Sequence, residues 1–158
     1  ECGTAHGGSA HFFAGVQRMF GIDGRVVTID IEGARAGTRT KHKQITYITA
    51  DSGSDEAYRA VAPLRAGSER RMVVLDSDHT AAHVARELAL WPDVVTPGCY
   101  LVVEDTCVNG HPIYPDYGPG PWEALAAWLP KHPEFRRDTD IEDRHGPTLY
   151  PGGWLVRR

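Results

Sequence analysis

Residues 71 to 106 read RMVVLDSDHTAAHVARELALWPDVVTPGCYLVVEDT, and this stretch decides the fold. Met72-Val73-Val74-Leu75 is a short apolar, β-branched run, the pattern of a strand buried on both faces, and it closes on Asp76-Ser77-Asp78-His79. Thr80 caps a helix running to Leu90, with Val84 and Leu88 on one face and Arg86 and Glu87 elsewhere. Pro92 and Pro97-Gly98 end that helix and turn the chain into a second buried strand, Tyr100-Leu101-Val102-Val103, which closes on Glu104-Asp105-Thr106. In an open α/β sheet, chemistry collects at the carboxyl ends of parallel strands, so two neighbouring strands ending in acids aim them into one crevice. Hard oxygen ligands of that kind suit magnesium, manganese or calcium rather than a soft metal.

The bounds on the whole chain agree with one ordinary globular domain. Its 158 residues are 41% hydrophobic and 24% charged, enough for one sizeable core. A net charge of -4 gives no global pull toward nucleic acid or an anionic membrane, leaving only the scope for a local basic patch. Neither nucleic acid nor membrane is therefore an expected partner. Cys2, Cys99 and Cys107 are too few and too irregularly spaced for a disulfide framework or a zinc ribbon, so they read as thiols in a reducing compartment. No apolar run approaches the length of a membrane span, and the cytoplasm is the expected location.

Upstream, Glu1-Cys2-Gly3-Thr4-Ala5-His6-Gly7-Gly8-Ser9 has the make-up of a loop that follows a strand, and the reading expects a fragment whose first strand lies outside this sequence. Ser9 is the expected N-cap of a helix over Ala10 to Phe20, whose amino end would offer unpaired N–H groups to a ligand. The glycine spacing is not that of a dinucleotide fingerprint, and glycines also serve any tight strand-to-helix turn. Arg25 to Ile31, bounded by Gly24 and Gly33, reads as an inner parallel strand carrying Asp30 at its tip, the place where an acid commonly accepts hydrogen bonds from ribose hydroxyls. Glu32 to Lys43, with Arg35, Arg39, Lys41, His42 and Lys43, reads as a solvated face. A third strand, Ile45 to Ala50, runs into Asp51-Ser52-Gly53-Ser54, which suits an adenine edge and ordinary turn and capping chemistry equally. Asp55 to Ala66 has helical spacing, with Pro63 kinking or ending it.

Downstream, Asn109 to Pro121 is too rich in Pro and Gly for regular structure and reads as a loop over the strand ends, with Asn109, His111, Tyr114 and Tyr117 available to an acceptor. Trp122 to Leu129 is a short amphipathic helix, Phe135 to Arg144 is strongly charged, and Thr148-Leu149-Tyr150 with Gly153-Trp154-Leu155-Val156 suggests a final antiparallel strand pair. Strands alternating with helices over short connections give the fold class: α/β, Rossmann-like, a doubly wound and mostly parallel sheet.

Four segments in order carry a resemblance. The opening Glu-x-Gly-Thr-x-x-Gly-Gly-Ser, Met72 to Thr80, Tyr100 to Thr106 and Pro151-Gly152-Gly153-Trp154-Leu155 together resemble the cephalosporin hydroxylase family. That family is similar to class I S-adenosylmethionine-dependent O-methyltransferases of macrolide sugars and rhamnose. The resemblance implies one methyltransferase domain over residues 1 to 158, amino-terminally incomplete, since the family's missing portion completes the central strand and contributes to substrate binding and assembly, which makes a homo-oligomer an expectation too. By the same resemblance the metal, Mg2+ or Mn2+, is held by Asp76, Glu104 and Asp105. His79 is the general base, with Asp78 orienting it or holding a metal-bound water. Glu1, Gly3 and Gly7 hold the methionine moiety of S-adenosylmethionine, Asp30 its ribose, and Asp51 and Ser52 its adenine. The implied reaction is metal-assisted methyl transfer to a hydroxyl of a small molecule, a sugar or secondary metabolite.

The implied chemistry is physically reasonable for metal, base and hydroxyl. A hydroxyl is a poor nucleophile until it loses its proton; a divalent cation lowers its pKa and fixes its direction, and an imidazole is suited to accept the proton near neutral pH. Two other readings use the same residues: a metal-dependent hydrolase or phosphoryl-transfer enzyme, which would not need the Glu1 to Gly8 loop, and a catalytically silent Rossmann-like binding fragment. Hydroxylation is disfavoured, because no facial triad of two histidines and one carboxylate lies near these motifs.

Overall fold

The computed structural model describes residues 1–32, 39–146 and 148–158, the side chain of His145 excepted. Gly33 and Arg35, which the sequence placed at a strand boundary and on a solvated face, lie outside the described residues. The chain divides into two compact units, Glu1–Ser68 and Glu69–Arg158, and each is described by itself.

In the first unit, β1 (Val26–Asp30) pairs in parallel with β2 (Ile45–Thr49), Val26 opposite Ile45 and Asp30 opposite Thr49. On the other edge of β1 the opening residues run parallel to it. Cys2 bridges to Ile29, Gly3 N–H donates to Ile29 O at 2.8 Å, and Ile29 N–H donates to Glu1 O at 3.0 Å. Helix α1 (Gly8–Met19) lays Ala10 and Ala14 on the strands, in one cluster with Val26 and Ile45. Small alanines at i and i+4 let the helix backbone approach closely, and the larger Phe12 and Met19 face outward. The helix begins one residue before Ser9. Its N-cap is Gly7 at φ 84, a left-handed turn that glycine alone enters without strain and that places Ser9 inside the first turn. The helix α2 (Asp55–Val61) is capped by Ser54, whose Oγ accepts from Ala57 N–H at 3.2 Å, and at Pro63 the chain tightens into a 3-10 turn over Ala62–Arg65.

The second unit holds a four-stranded mixed sheet in the order β3-β4-β6-β5. The strand β3 (Val73–Leu75) is parallel to β4 (Tyr100–Val103), with Leu75 opposite Val103, and the helix α3 (Ala81–Leu90) joins them. After α4 (Pro121–Trp128), β5 (Phe135–Arg137) and α5 (Thr139–His145), the chain returns as β6 (Trp154–Arg157), antiparallel to both β4 and β5. The expected final strand pair is therefore corrected. Thr148 to Tyr150 forms no strand, and the partner of β6 at the edge is Phe135–Arg137, read from sequence only as charged. Gly153 allows β6 to enter the sheet, since a Cβ there would lie 2.2 Å from Val103 O. Glu87, which the sequence placed off the Val84 and Leu88 face, is fully buried. No helix among the described residues is long and apolar enough to cross a membrane.

Candidate functional site

The register of β3 and β4 fixes where the acids of the second unit go. With Leu75 opposite Val103, Asp76 and Glu104 follow at equivalent positions past the two strand ends. Asp105 then adopts a left-handed backbone, φ 51, which costs a non-glycine residue about 1 kcal/mol and is the kind of strain that collects at functional sites. Its carboxylate meets His79. The imidazole lies between two acids, Nε2 at 3.2 Å from Asp76 Oδ1 and Nδ1 at 3.1 Å from Asp105 Oδ2. All three side chains stay partly open to solvent, at 35% for Asp76, 26% for His79 and 29% for Asp105.

Among the described residues, one atom each from Asp76, His79 and Asp105 lies within 4.8 Å of the others, a spacing and donor set that fit a divalent cation. The His79 pKa is raised, first by its hydrogen bond to Asp76, with burial opposing and the charges of Asp105, Asp76 and Asp78 adding to the rise. The two carboxylates thus favour the protonated form of the ring. Asp78 is engaged elsewhere, its Oδ1 accepting from Thr80 N–H at 3.0 Å, so Asp76 and Asp105 orient the ring. Glu104 lies outside the three-residue group and bears on Tyr150, whose phenol is raised by burial and then by the charges of Glu104, Asp76 and Asp105. Beneath the 76–79 turn, buried Glu87 accepts from Ser77 Oγ at 2.7 Å and faces His83 at 3.3 Å. Sequence reading missed both Tyr150 and Glu87. Tyr150 had a signal, its place just before Pro151-Gly152-Gly153; Glu87 had none.

In the first unit Asp30 occupies the strand tip as expected, and its carboxylate is already in use. Oδ2 accepts from Thr4 N–H at 3.1 Å and Ala5 N–H at 2.7 Å, while Oδ1 accepts from Glu32 N–H at 2.8 Å. Arg39, which the sequence put on a solvated face, is buried beside it, 3.5 Å from Oδ2, and donates to Ala5 O and Glu32 O at 3.2 Å each. Glu1 Oε2 accepts from buried Thr28 Oγ1 at 2.6 Å, and Thr28 and Thr4 share a hydroxyl contact of 2.7 Å. Gly3 at φ 96 and Gly7 at φ 84 shape the loop between them, closed by Gly7 N–H to Thr4 O at 2.7 Å. Asp51 Oδ1 accepts from Gly53 N–H at 2.8 Å, an ordinary Asx turn, and Ser52 is buried.

Comparison with known proteins covers the whole length of the chain. A family model described as "Rhamnosyl O-methyltransferase/CmcI" matches residues 1–158. A rhamnosyl O-methyltransferase of Mycobacterium tuberculosis is 36% identical over 161 residues, covering 99% of this chain and 65% of that protein. The chain thus spans a little under two thirds of the length of that relative. Among solved structures, CmcI with Mg and SAM has a TM-score of 0.64 at 18% identity, covering 99% of this chain and 62% of the other. MycE methyltransferase from the mycinamycin biosynthetic pathway, in complex with Mg, SAH and mycinamycin VI, has a TM-score of 0.58 at 21% identity, covering 96% and 40%. At these identities the two structures establish the fold, the α/β Rossmann-like class I methyltransferase fold.

Proposed function

The chain belongs to the Rhamnosyl O-methyltransferase/CmcI family, and from that premise we propose that it transfers a methyl group from S-adenosylmethionine to a hydroxyl of a small molecule, a sugar or secondary metabolite. The observation that carries this reading is His79 held between Asp76 and Asp105 at the ends of adjacent parallel strands. Mg and SAM in the CmcI structure, and Mg, SAH and a macrolide in the MycE structure, support the cofactor and acceptor class. Three buried cysteines, among them the thiols of Cys99 and Cys107, support a reducing compartment, the cytoplasm.

Asp76, Glu104 and Asp105 would hold Mg2+ or Mn2+, which when bound polarises the acceptor oxygen and lowers its pKa. The chain's own residues do the rest. His79 owes its raised pKa to the carboxylates that would be ligands, so with those acids engaged the ring returns toward its ordinary value and accepts the acceptor proton. The hydroxyl oxygen forms the new C–O bond as the methyl C–S bond breaks, and that bond's electron pair returns to sulfur, leaving S-adenosylhomocysteine. Asp78 fixes the Thr80 turn that carries His79. In the first unit, the backbone at Gly3 and Gly7 with Glu1 would receive the methionine moiety. Asp30 at the β1 tip would accept from the ribose, and Asp51 with Ser52 would meet the adenine, Asp51 being the better placed because Ser52 is buried.

The test is isothermal titration of S-adenosylmethionine and S-adenosylhomocysteine into the chain with and without Mg2+, followed by transfer of a labelled methyl group to sugar acceptors with His79→Ala as control. Binding and His79-dependent transfer are expected. A chain with a cooperative melting transition that binds neither compound sinks the proposal.

A further inference from the structure

The Pro- and Gly-rich segment 109 to 120 in the second unit leaves and returns at two places that matter. Its entry is tied to the Asp105 turn: Val108 N–H donates to Asp105 O at 3.3 Å, and both His111 N–H and Ile113 N–H donate to Cys107 O. Its exit lies against the His79 turn, where Ala81 N–H donates to Pro119 O at 2.9 Å. Gly120 is buried there, and a Cβ added to it would sit 2.9 Å from Val108 Cγ2 and 3.3 Å from His79 O. One carboxylate closes the two ends on each other. Glu123 Oε1 accepts from Asn109 Nδ2 at 2.8 Å and His111 Nε2 at 3.0 Å, and Oε2 accepts from Gly120 N–H at 2.8 Å. Asn109 adds a second tie, its Oδ1 accepting from Gly118 N–H at 3.1 Å.

We propose that Glu123 is a positioning residue of the methyl-transfer reaction: by clamping the ends of the 109–120 loop it fixes the separation of the Asp105 and His79 turns, and so the aim of the imidazole. The role rests on the reaction assigned above. It explains why Asn109 and His111, which sequence reading offered to an acceptor, face inward on Glu123, while Tyr114 and Tyr117 at the loop tip remain exposed. It also explains the glycine at 120, whose backbone is extended at φ -125 and needs no glycine for its own sake. The space does need it. Burial works against the Glu123 charge, yet hydrogen bonds from Gly120, Asn109 and His111 bring its pKa down to about 2, so the clamp is ionised throughout the working range.

The test compares the full chain with Glu123→Gln, Gly120→Ala and Asn109→Gly. The last removes one clamp donor while keeping the left-handed backbone of Asn109, φ 60, accessible. The first readout is the nitrogen resonances of the His79 ring. All three variants are expected to shift them while retaining a cooperative melt, and Glu123→Gln with Asn109→Gly should be less than additive, as for partners in one network. Glu134→Gln, whose carboxylate meets the His132 ring and not the 109–120 loop, should leave them unmoved. In methyl transfer, Glu123→Gln is expected to lower kcat about 10- to 100-fold, the scale of a small misplacement of a reacting group, with S-adenosylmethionine affinity unchanged. Unshifted His79 resonances in folded Glu123→Gln and Gly120→Ala would overturn the proposal. Failure of the chain to methylate anything would instead count against the reaction assigned above, because the ring resonances read the clamp without turnover.

Discussion

Asp30 and Asp105 both stand just where a β-strand delivers the chain to a loop, one in each unit, and they are used in opposite ways. Asp30 is spent on its own protein: three backbone N–H groups and the buried Arg39 converge on it. Asp105, with Asp76, meets an imidazole whose proton is exchangeable, and both remain about one-third exposed. The difference teaches which carboxylates can be exchanged from protein to ligand. Breaking the Asp30 set leaves several donors stranded, whereas releasing Asp76 and Asp105 requires only that one proton depart or one cation arrive.

The largest effect that sharpens this contrast is on metal binding. Asp76→Asn and Asp105→Asn are expected to weaken Mn2+ binding by at least about 100-fold, read by titration or electron paramagnetic resonance, with little loss of thermal stability. Asn is chosen at 105 because it tolerates the left-handed backbone there. The contrast breaks if these variants unfold. Asp30→Ala should do the reverse, destabilising the chain by about 3 kcal/mol in urea unfolding by stranding the Thr4, Ala5 and Glu32 amides and the Arg39 charge. Cofactor binding and stability would then fall together, so a lost titration signal in Asp30→Ala must be judged against a melting curve. Smaller again, Gly7→Ala should cost about 1–2 kcal/mol, because φ is 84 and the new Cβ would press on Tyr47 Oη at 3.2 Å.

What the sequence disclosed follows from the same distinction. Strand runs and strand-end acids are local signals, so β1 to β4, the Thr80 cap and the acids at 30, 76, 104 and 105 were legible, whereas the expected Ser9 cap lies inside the first turn behind Gly7. Properties made by distant partners were not. Phe135–Arg137 offers one apolar residue and two arginines, and it becomes a strand only because β6 lies beside it. Glu87 has the same helical address as a solvated acid; Ser77 and His83 make burial tolerable. Arg39 sits in a charged stretch whose other members gave no hint that one guanidinium turns inward to Asp30. His79 was legible as a base beside acids, but its second partner depends on the left-handed turn at Asp105, which an Asp-Thr-Cys sequence does not announce.

The smallest expected effect concerns pH, and it separates the clamp from the metal centre. The Glu123 pKa is about 2 in the folded chain, against 4.5 for an ordinary glutamate, which is what an unfolded chain provides. A depressed folded-state pKa means that the stabilising contribution is present in full above about pH 4.5 and is lost progressively as pH falls toward 2. Protonation would remove acceptor capacity that Asn109, His111 and Gly120 share, and the exposed Tyr114 and Tyr117 between them make the loop visible by fluorescence. The expected outcome is a change in tyrosine emission between pH 4.5 and 2 that is absent in Glu123→Gln, together with a wild-type stability advantage over that variant that shrinks across the same window. His79 titrates in the other direction. Its raised pKa contributes stability that is complete below the unfolded value and disappears as pH rises through the folded one. An acid transition that survives Glu123→Gln would assign the loop to other groups, whereas one that vanishes would establish that the carboxylate at 123, and not the imidazole at 79, holds the loop closed.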